Sequence, residues 1–255
     1  MVWGSGGHGR TVGDLVEVGG HELVGYIDHD PDRLGTVVEP LAARVSHLEE
    51  ELLFQLRRQE CYPEGVDAIA LGIGDNRTRL QWMEILGGLE SPPLVHPSAA
   101  VSQTAQLGRG SVVFPQVVIN AGATIGAAVI VNSGVVIEHD CLLGAGVHVS
   151  PGATVCGGVR IGDLTWVGAG ATVIQGLTLG AGVIVGAGST VLQDVDDGCT
   201  VGSLARPVTH ATLDHRGDED WYHVTLSMAG ISVTASRSRG LGKRVLLRSD
   251  QSTYI

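Results

Sequence analysis

The residues best equipped for chemistry sit in one hexad, Ile137-Glu138-His139-Asp140-Cys141-Leu142. His139 stands between two carboxylates. A neighbouring acid fixes an imidazole tautomer and favours the imidazolium form, which suits His139 to general-base work. Such a base contributes on the order of 10²–10⁴ in rate. Charge is scarce nearby: residues 95–196 hold only Arg109, Arg160, Glu138, Asp140, Asp163, Asp194 and Asp196. His148 follows nine residues on. It offers a polar contact to a ligand, or it is simply an exposed or packed histidine.

A second candidate site opens the chain. Gly4-Ser5-Gly6-Gly7-His8-Gly9 satisfies G-x-G-x-x-G, and Asp28 follows it by about 20 residues. Glycine amides at a helix start can cradle phosphate. The alternative is a plain strand-to-helix turn. A nicotinamide enzyme is disfavoured, because the segment is half of a doubly wound unit and no domain for hydride chemistry follows.

The elements that position these residues are legible as periods. From Val95 the chain divides into six-residue units, and all seventeen first positions are Val, Ile or Leu. Fifth positions are small or β-branched except at Leu177, and fourth positions are glycine in ten units. Large aliphatics fill an interior, small residues fit beside them, and glycine accepts the turn. Three short strands and three corners close one coil of 18 residues, so the coils stack into a three-sided solenoid. Asp140 takes the place of a turn glycine. The residues 18 positions before and after His139 are Ala121 and Gly157, which are small and leave open space beside the imidazole along the wall. Cys141 occupies a fifth position and belongs to the core, not to catalysis.

Residues 1–93 follow another rhythm. A short strand at Val2-Trp3 leads to a helix from Arg10 to Val18, then a strand from Glu22 to Ile27. Ser46-x-x-Glu49 reads as a capping box opening a helix with Leu48, Leu52, Leu53 and Leu56 on one side. A buried strand is expected over residues 66–73, and a further helix to Leu86. The alternation implies a small parallel, Rossmann-like sheet.

Composition narrows the classes. The 255 residues are 44% hydrophobic but only 4% aromatic, with 38 glycines, which fits many turns and a small-aliphatic core. A net charge of −11 argues against non-specific nucleic-acid binding. No apolar run is long enough to span a membrane, and the start lacks a signal-peptide pattern, so a cytoplasmic protein is expected. Cys61, Cys141, Cys156 and Cys199 form no Cys-x-x-Cys pair, so no metal is expected.

The arrangement resembles the sialic acid O-acetyltransferase and sugar-nucleotide N-acetyltransferase family of hexapeptide-repeat acyltransferases. The likeness spans residues 1–208. It rests on Gly4-Ser5-Gly6-Gly7-His8-Gly9, Tyr26-Ile27-Asp28, Gly74-Asp75-Asn76, Val95-His96-Pro97-Ser98-Ala99, Val131-Asn132, the His139 hexad and Gly202-Ser203-Leu204-Ala205-Arg206. It implies a left-handed parallel β-helix over residues 94–208, after a nucleotide-sugar-binding α/β domain over residues 1–93. It also implies acetyl-CoA as co-substrate, His139 as general base with Asp140 behind it, and His148, Ala169 and Ala187 on acetyl-CoA. Gly6, Gly7, His8, Asp28 and His29 would hold the nucleotide-sugar. Asp140 stands where sugar-nucleotide members carry Glu, and His29 where they carry an acid. Family members are homotrimers with sites between columns. Outward residues Val112, Val118, Ile130, Val136 and Ile184 are apolar, and a trimer is expected to cover some of that surface.

Residues 209–255 fit neither repeat nor family and hold six of the 16 basic residues. Strands over 221–233 and 245–248, or a disordered appendage, are both open. The rival functions are O-acetylation of a free sugar, a γ-carbonic-anhydrase-like metal lyase using His96, His139 and His148, and a non-catalytic nucleotide-binding scaffold.

Overall fold

A computed structural model describes residues 1–49, 65–87 and 90–202, together with the backbone of four later strands. The front region is a five-stranded sheet in the order β3-β4-β2-β1-β5. Its strands are β1 (Val2–Trp3), β2 (Tyr26–Asp28), β3 (Val37–Val38), β4 (Ala43–Leu48) and β5 (Ala70–Leu71). All pairs are parallel except β3 with β4. Helix α1 (Gly7–Val18) follows β1, and α2 (Asn76–Ile85) follows β5.

Several expected boundaries move. Helix α1 begins at Gly7 instead of Arg10, so Gly7 and His8 lie in its first turn. The strand expected from Glu22 covers Tyr26–Asp28, and the one expected over 66–73 shrinks to Ala70–Leu71. Ser46 caps no helix. It lies in β4, where Val45 is buried between exposed Arg44 and Ser46, the alternation of a half-buried strand. The leucines beyond Glu49 lie outside the described residues. Glycine is needed where α1 meets the sheet: a Cβ on Gly9 would stand 1.9 Å from the Gly4 carbonyl oxygen.

From Leu94 the chain winds as a column of two-residue strands in three stacks. Partners lie 18 residues apart in parallel register, for example Ile137 with Val155 and His148 with Trp166. First and fifth positions point inward and form one core from Val113 to Val201. The fourth positions carry the turn. Gly110, Gly122, Gly146 and Gly170 have φ between 65° and 73°, and Asp140 adopts the same left-handed conformation at φ 59°. Thr200–Val201 then pairs antiparallel with Pro207–Asp214, which starts a meander through Trp221–Met228, Ile231–Ser238 and Leu246–Ser249. The backbone of the tail therefore extends one face of the column as strands.

The front region sits on that same face. Val112, Phe114 and Ile130 are buried against Val2, Val12, Val16 and Tyr26. This corrects one expectation: Val112 and Ile130 are covered by the chain's own front sheet, not by a neighbouring column. Ile184, higher on the column, remains 45% exposed.

Arg79 fastens the two parts. It is 1% exposed and donates from Nε to the Ala128 carbonyl at 2.8 Å and from Nη2 to the Gly146 carbonyl at 2.9 Å. Nη1 holds the Ile73 and Gly74 carbonyls at 3.1 and 3.0 Å. Burial lowers its pKa to about 10, so the guanidinium stays charged at neutral pH. Arg79→Ala leaves those carbonyls without their donor, the ones at Ala128 and Gly146 in buried surroundings. It should destabilise the fold by about 3 kcal/mol. A urea midpoint equal to that of the unsubstituted chain would contradict this.

Candidate active site

Three groups of residues are placed, and they do not all meet in one chain. The first is on the column edge between the strand stacks that hold Val136–Ile137 and Leu142–Leu143. His139 Nδ1 lies 2.9 Å from Asp140 Oδ2, with both side chains mostly exposed. The aspartate, shorter than glutamate, reaches the ring from its left-handed backbone position. An Nδ1–H donated to Asp140 leaves Nε2 as the basic atom. That atom lies over Gly157, where a Cβ would approach it to 2.5 Å. Glu138 is engaged elsewhere, accepting from Asn120 Nδ2 at 2.9 Å.

The second group lies on the opposite face of the column. His148 stacks on Trp166, with centroids 5.9 Å apart and planes at 6°. Trp166 is 48% exposed and its Nε1–H donates to Ser150 Oγ at 2.7 Å. Asn132 Nδ2 lies 3.3 Å from His148 Nε2. Burial, then Arg79, then His8, hold the His148 pKa down at about 4, so the ring is neutral at pH 7. Ala169 and Ala187 stand exposed on the adjoining edge, stacked through the Gly188 N–H to Ala169 carbonyl bond of 2.8 Å.

The third group surrounds the first front loop. Asp28 is buried at the end of β2 and accepts from the Ser5 amide at 3.0 Å, from Ser5 Oγ, and from the Asp30 amide at 3.1 Å. Burial pushes its carboxyl up, but the bonds from Ser5 and Asp30, with Arg33 nearby, outweigh burial and hold it below the ordinary value. His29 Nδ1 lies 3.2 Å from Asp28 Oδ1 and its ring projects into solvent. Gly6 and Gly7 have open space above them and line a cleft with Ser5, Arg10, Arg33 and Thr36. Two arginines beside glycine amides at the start of α1 make this cleft anion-binding in character.

His8 is not on that cleft. Its ring packs edge-on against Phe114 at 5.8 Å, and its buried Nε2 has no hydrogen-bond partner among the described residues. Burial, then Arg79, lowers its pKa to about 4. The sequence reading assigned no role to Arg10, Arg33, Arg79, Asn132 or Trp166. The last two had a usable signal. In this coil a second-position residue meets the sixth-position residue 16 further on, as in Asn132 with His148 and Ser150 with Trp166. Among the described residues no three His, Cys, Asp or Glu side chains form a metal-ligand set. No described helix is long and apolar enough to cross a membrane.

A hexapeptide column with an exposed His–Asp pair and an α/β front region defines a hexapeptide-repeat acyltransferase. Residues 1–86 match the family model described as the PglD N-terminal domain. The acetyltransferase domain of PglB from Neisseria gonorrhoeae, also solved with acetyl coenzyme A, is 38% identical over 79% of this chain and 94% of that one, with a TM-score of 0.70. PerB from Caulobacter crescentus, solved with CoA and GDP-perosamine, is 35% identical over 79% of this chain and 92% of that one, also at 0.70. No curated protein matches the chain. The chain belongs to the sugar-nucleotide N-acetyltransferase family of hexapeptide-repeat enzymes, with a left-handed β-helix. It is an acetyl-CoA-dependent sugar acetyltransferase.

Proposed function

We infer that the enzyme transfers acetyl from acetyl-CoA to the amino group of a nucleotide-linked amino sugar, at sites between the columns of a homotrimer. The observation that carries this reading is the division of the site. His139 stands on one edge of the column, while His148 lies on the opposite face and Ala169 and Ala187 on an edge beside that face. One column cannot bring them together, and a second copy beside it can. His139 Nε2 takes the proton from the sugar amine as nitrogen attacks the thioester carbonyl, and Asp140 holds the ring and steadies its positive charge. The C–N bond forms, the C–S bond breaks, and CoA leaves as thiolate or thiol.

The neutral His148 contacts the acetyl group, and the exposed backbone at Ala169 and Ala187 borders the pantetheine arm. The nucleotide lies in the cleft of Ser5, Gly6 and Gly7, where Arg10 and Arg33 meet its phosphates; buried Asp28 holds Ser5 from below, and exposed His29 flanks the outer part. His8 lies under the loop against Phe114, so its part is to join that loop to the column. Support for a nucleotide-linked acceptor comes from this cleft and from GDP-perosamine bound to PerB.

Isothermal titration with GDP, UDP and a free amino sugar tests the acceptor class. Binding of a nucleotide diphosphate, weakened about tenfold or more in Arg33→Ala, is expected. Binding of the free sugar with no nucleotide response would replace the reading with O- or N-acetylation of a free sugar.

A further inference from the structure

The geometry points to Asn132 as a positioning residue that fixes which nitrogen of His148 carries the proton. This rests on the reading above that His148 faces the acetyl group. Amide oxygen and nitrogen are told apart here by the backbone. The Asn132 Oδ1 accepts from the Ser133 amide at 2.8 Å. A main-chain N–H can only donate, so the atom meeting it must be the oxygen. The other end of the same amide is therefore the NH₂ group, and it faces His148 Nε2 at 3.3 Å. An NH₂ group only donates, so Nε2 must present a lone pair. A neutral ring with its lone pair on Nε2 carries its hydrogen on Nδ1.

The chain of constraints runs from Ser133 N–H to Asn132 and on to His148. Its free end is a single N–H donor. Among the described residues no protein acceptor meets His148 Nδ1, and that atom is not sealed from solvent. Stacking on Trp166 fixes the plane of the ring, and the Trp166 Nε1–H bond to Ser150 fixes Trp166 in turn. The assembly is a preset hydrogen-bond donor, suited to a carbonyl oxygen that gains negative charge as the thioester is attacked. A ring with its hydrogen on Nε2 would aim a lone pair at that oxygen and repel it.

The test uses the full-length enzyme at pH 8.5, with two measurements. The ¹⁵N spectrum of the imidazoles, assigned by comparison with His148→Gln, reads the tautomer directly. The expected wild-type pattern at His148 is Nδ1–H. Asn132→Asp replaces the donor by an acceptor of the same shape, and should switch the ring to Nε2–H. With the switch, kcat should fall on the order of 10², while KM for acetyl-CoA changes less than about threefold. Asn132→Ala removes the constraint without adding charge, and should give a mixture of forms and an intermediate kcat. An Nε2–H or imidazolium pattern in the wild type would overturn the inference. So would a switched tautomer with kcat unchanged. If Asn132→Asp does not fold, the wild-type spectrum and Asn132→Ala still decide. Failure of the underlying reading looks different: the Nδ1–H pattern would be present, yet His148→Gln would leave kcat and the KM for acetyl-CoA untouched.

Discussion

His139→Ala is expected to lose between about 10² and 10⁴ in kcat, with KM for acetyl-CoA and for the sugar nucleotide nearly unchanged. The side chain is mostly exposed and, among the described residues, hydrogen-bonds only to the adjacent Asp140, so its removal leaves no cavity and no stranded partner in the core. The thermal midpoint should therefore stay where it is, which separates lost chemistry from lost fold. Gly157→Ala gives the complementary result. Gly157 does not use the left-handed region, so its backbone tolerates alanine. The new methyl group would crowd the imidazole, with Nε2 2.5 Å from the Cβ position. An exposed ring can swing aside at little cost in stability, but it then leaves its place beside Asp140. Misplacement by about 1 Å costs up to about 10² in rate. Release of free thiol from acetyl-CoA, followed with the wild type and both variants, measures this. A His139→Ala enzyme with full turnover would remove the general base from the mechanism.

The column could be read from sequence because its rules are local. Each hexad repeats an inward first position, a turn at the fourth and an inward fifth, and strand partners in successive coils fall 18 residues apart through most of the column. Asp140 could be placed at a turn because ten other units show glycine there. Its left-handed backbone then accounts for how a short side chain reaches Nδ1. The same 18-residue spacing places Trp166 beside His148.

What escaped the sequence depends on contacts with no period. Arg79 looks like one charged residue on a short helix, yet it reaches Ala128 and Gly146 across a seam between two differently built parts. Without that seam, the burial of Val112 and Ile130 has no cause, and an outward apolar residue suggests a subunit contact. The family resemblance groups His8 with Gly6 and Gly7, which it adjoins in sequence. Starting α1 at Gly7 turns successive residues through about 100°, which sends His8 toward Phe114 and away from the cleft. Ser46 matched the N-cap of a capping pattern, but parallel pairing of β4 with β2 won over local propensity there.

Mixing two inactive variants should restore activity, and the amount is set by geometry. Suppose each site takes His139 from one subunit and His148 from the next. His139→Ala and His148→Ala homotrimers are then each defective at all their sites. A trimer holding both kinds has one junction at which an intact His139 meets an intact His148, whichever variant is in the majority. Random assembly from equal amounts gives mixed trimers about three-quarters of the time, each with about one-third of its sites restored, so about one-quarter of wild-type turnover should return. Co-refolding or co-expressing the two chains with different tags and assaying thiol release measures it. Separately assembled trimers mixed without exchange serve as the baseline. If both histidines acted within one chain, every site would carry one lesion and turnover would stay at that baseline. The fold supports the first outcome, because the edge that holds His139 and the face that holds His148 lie on opposite sides of one column.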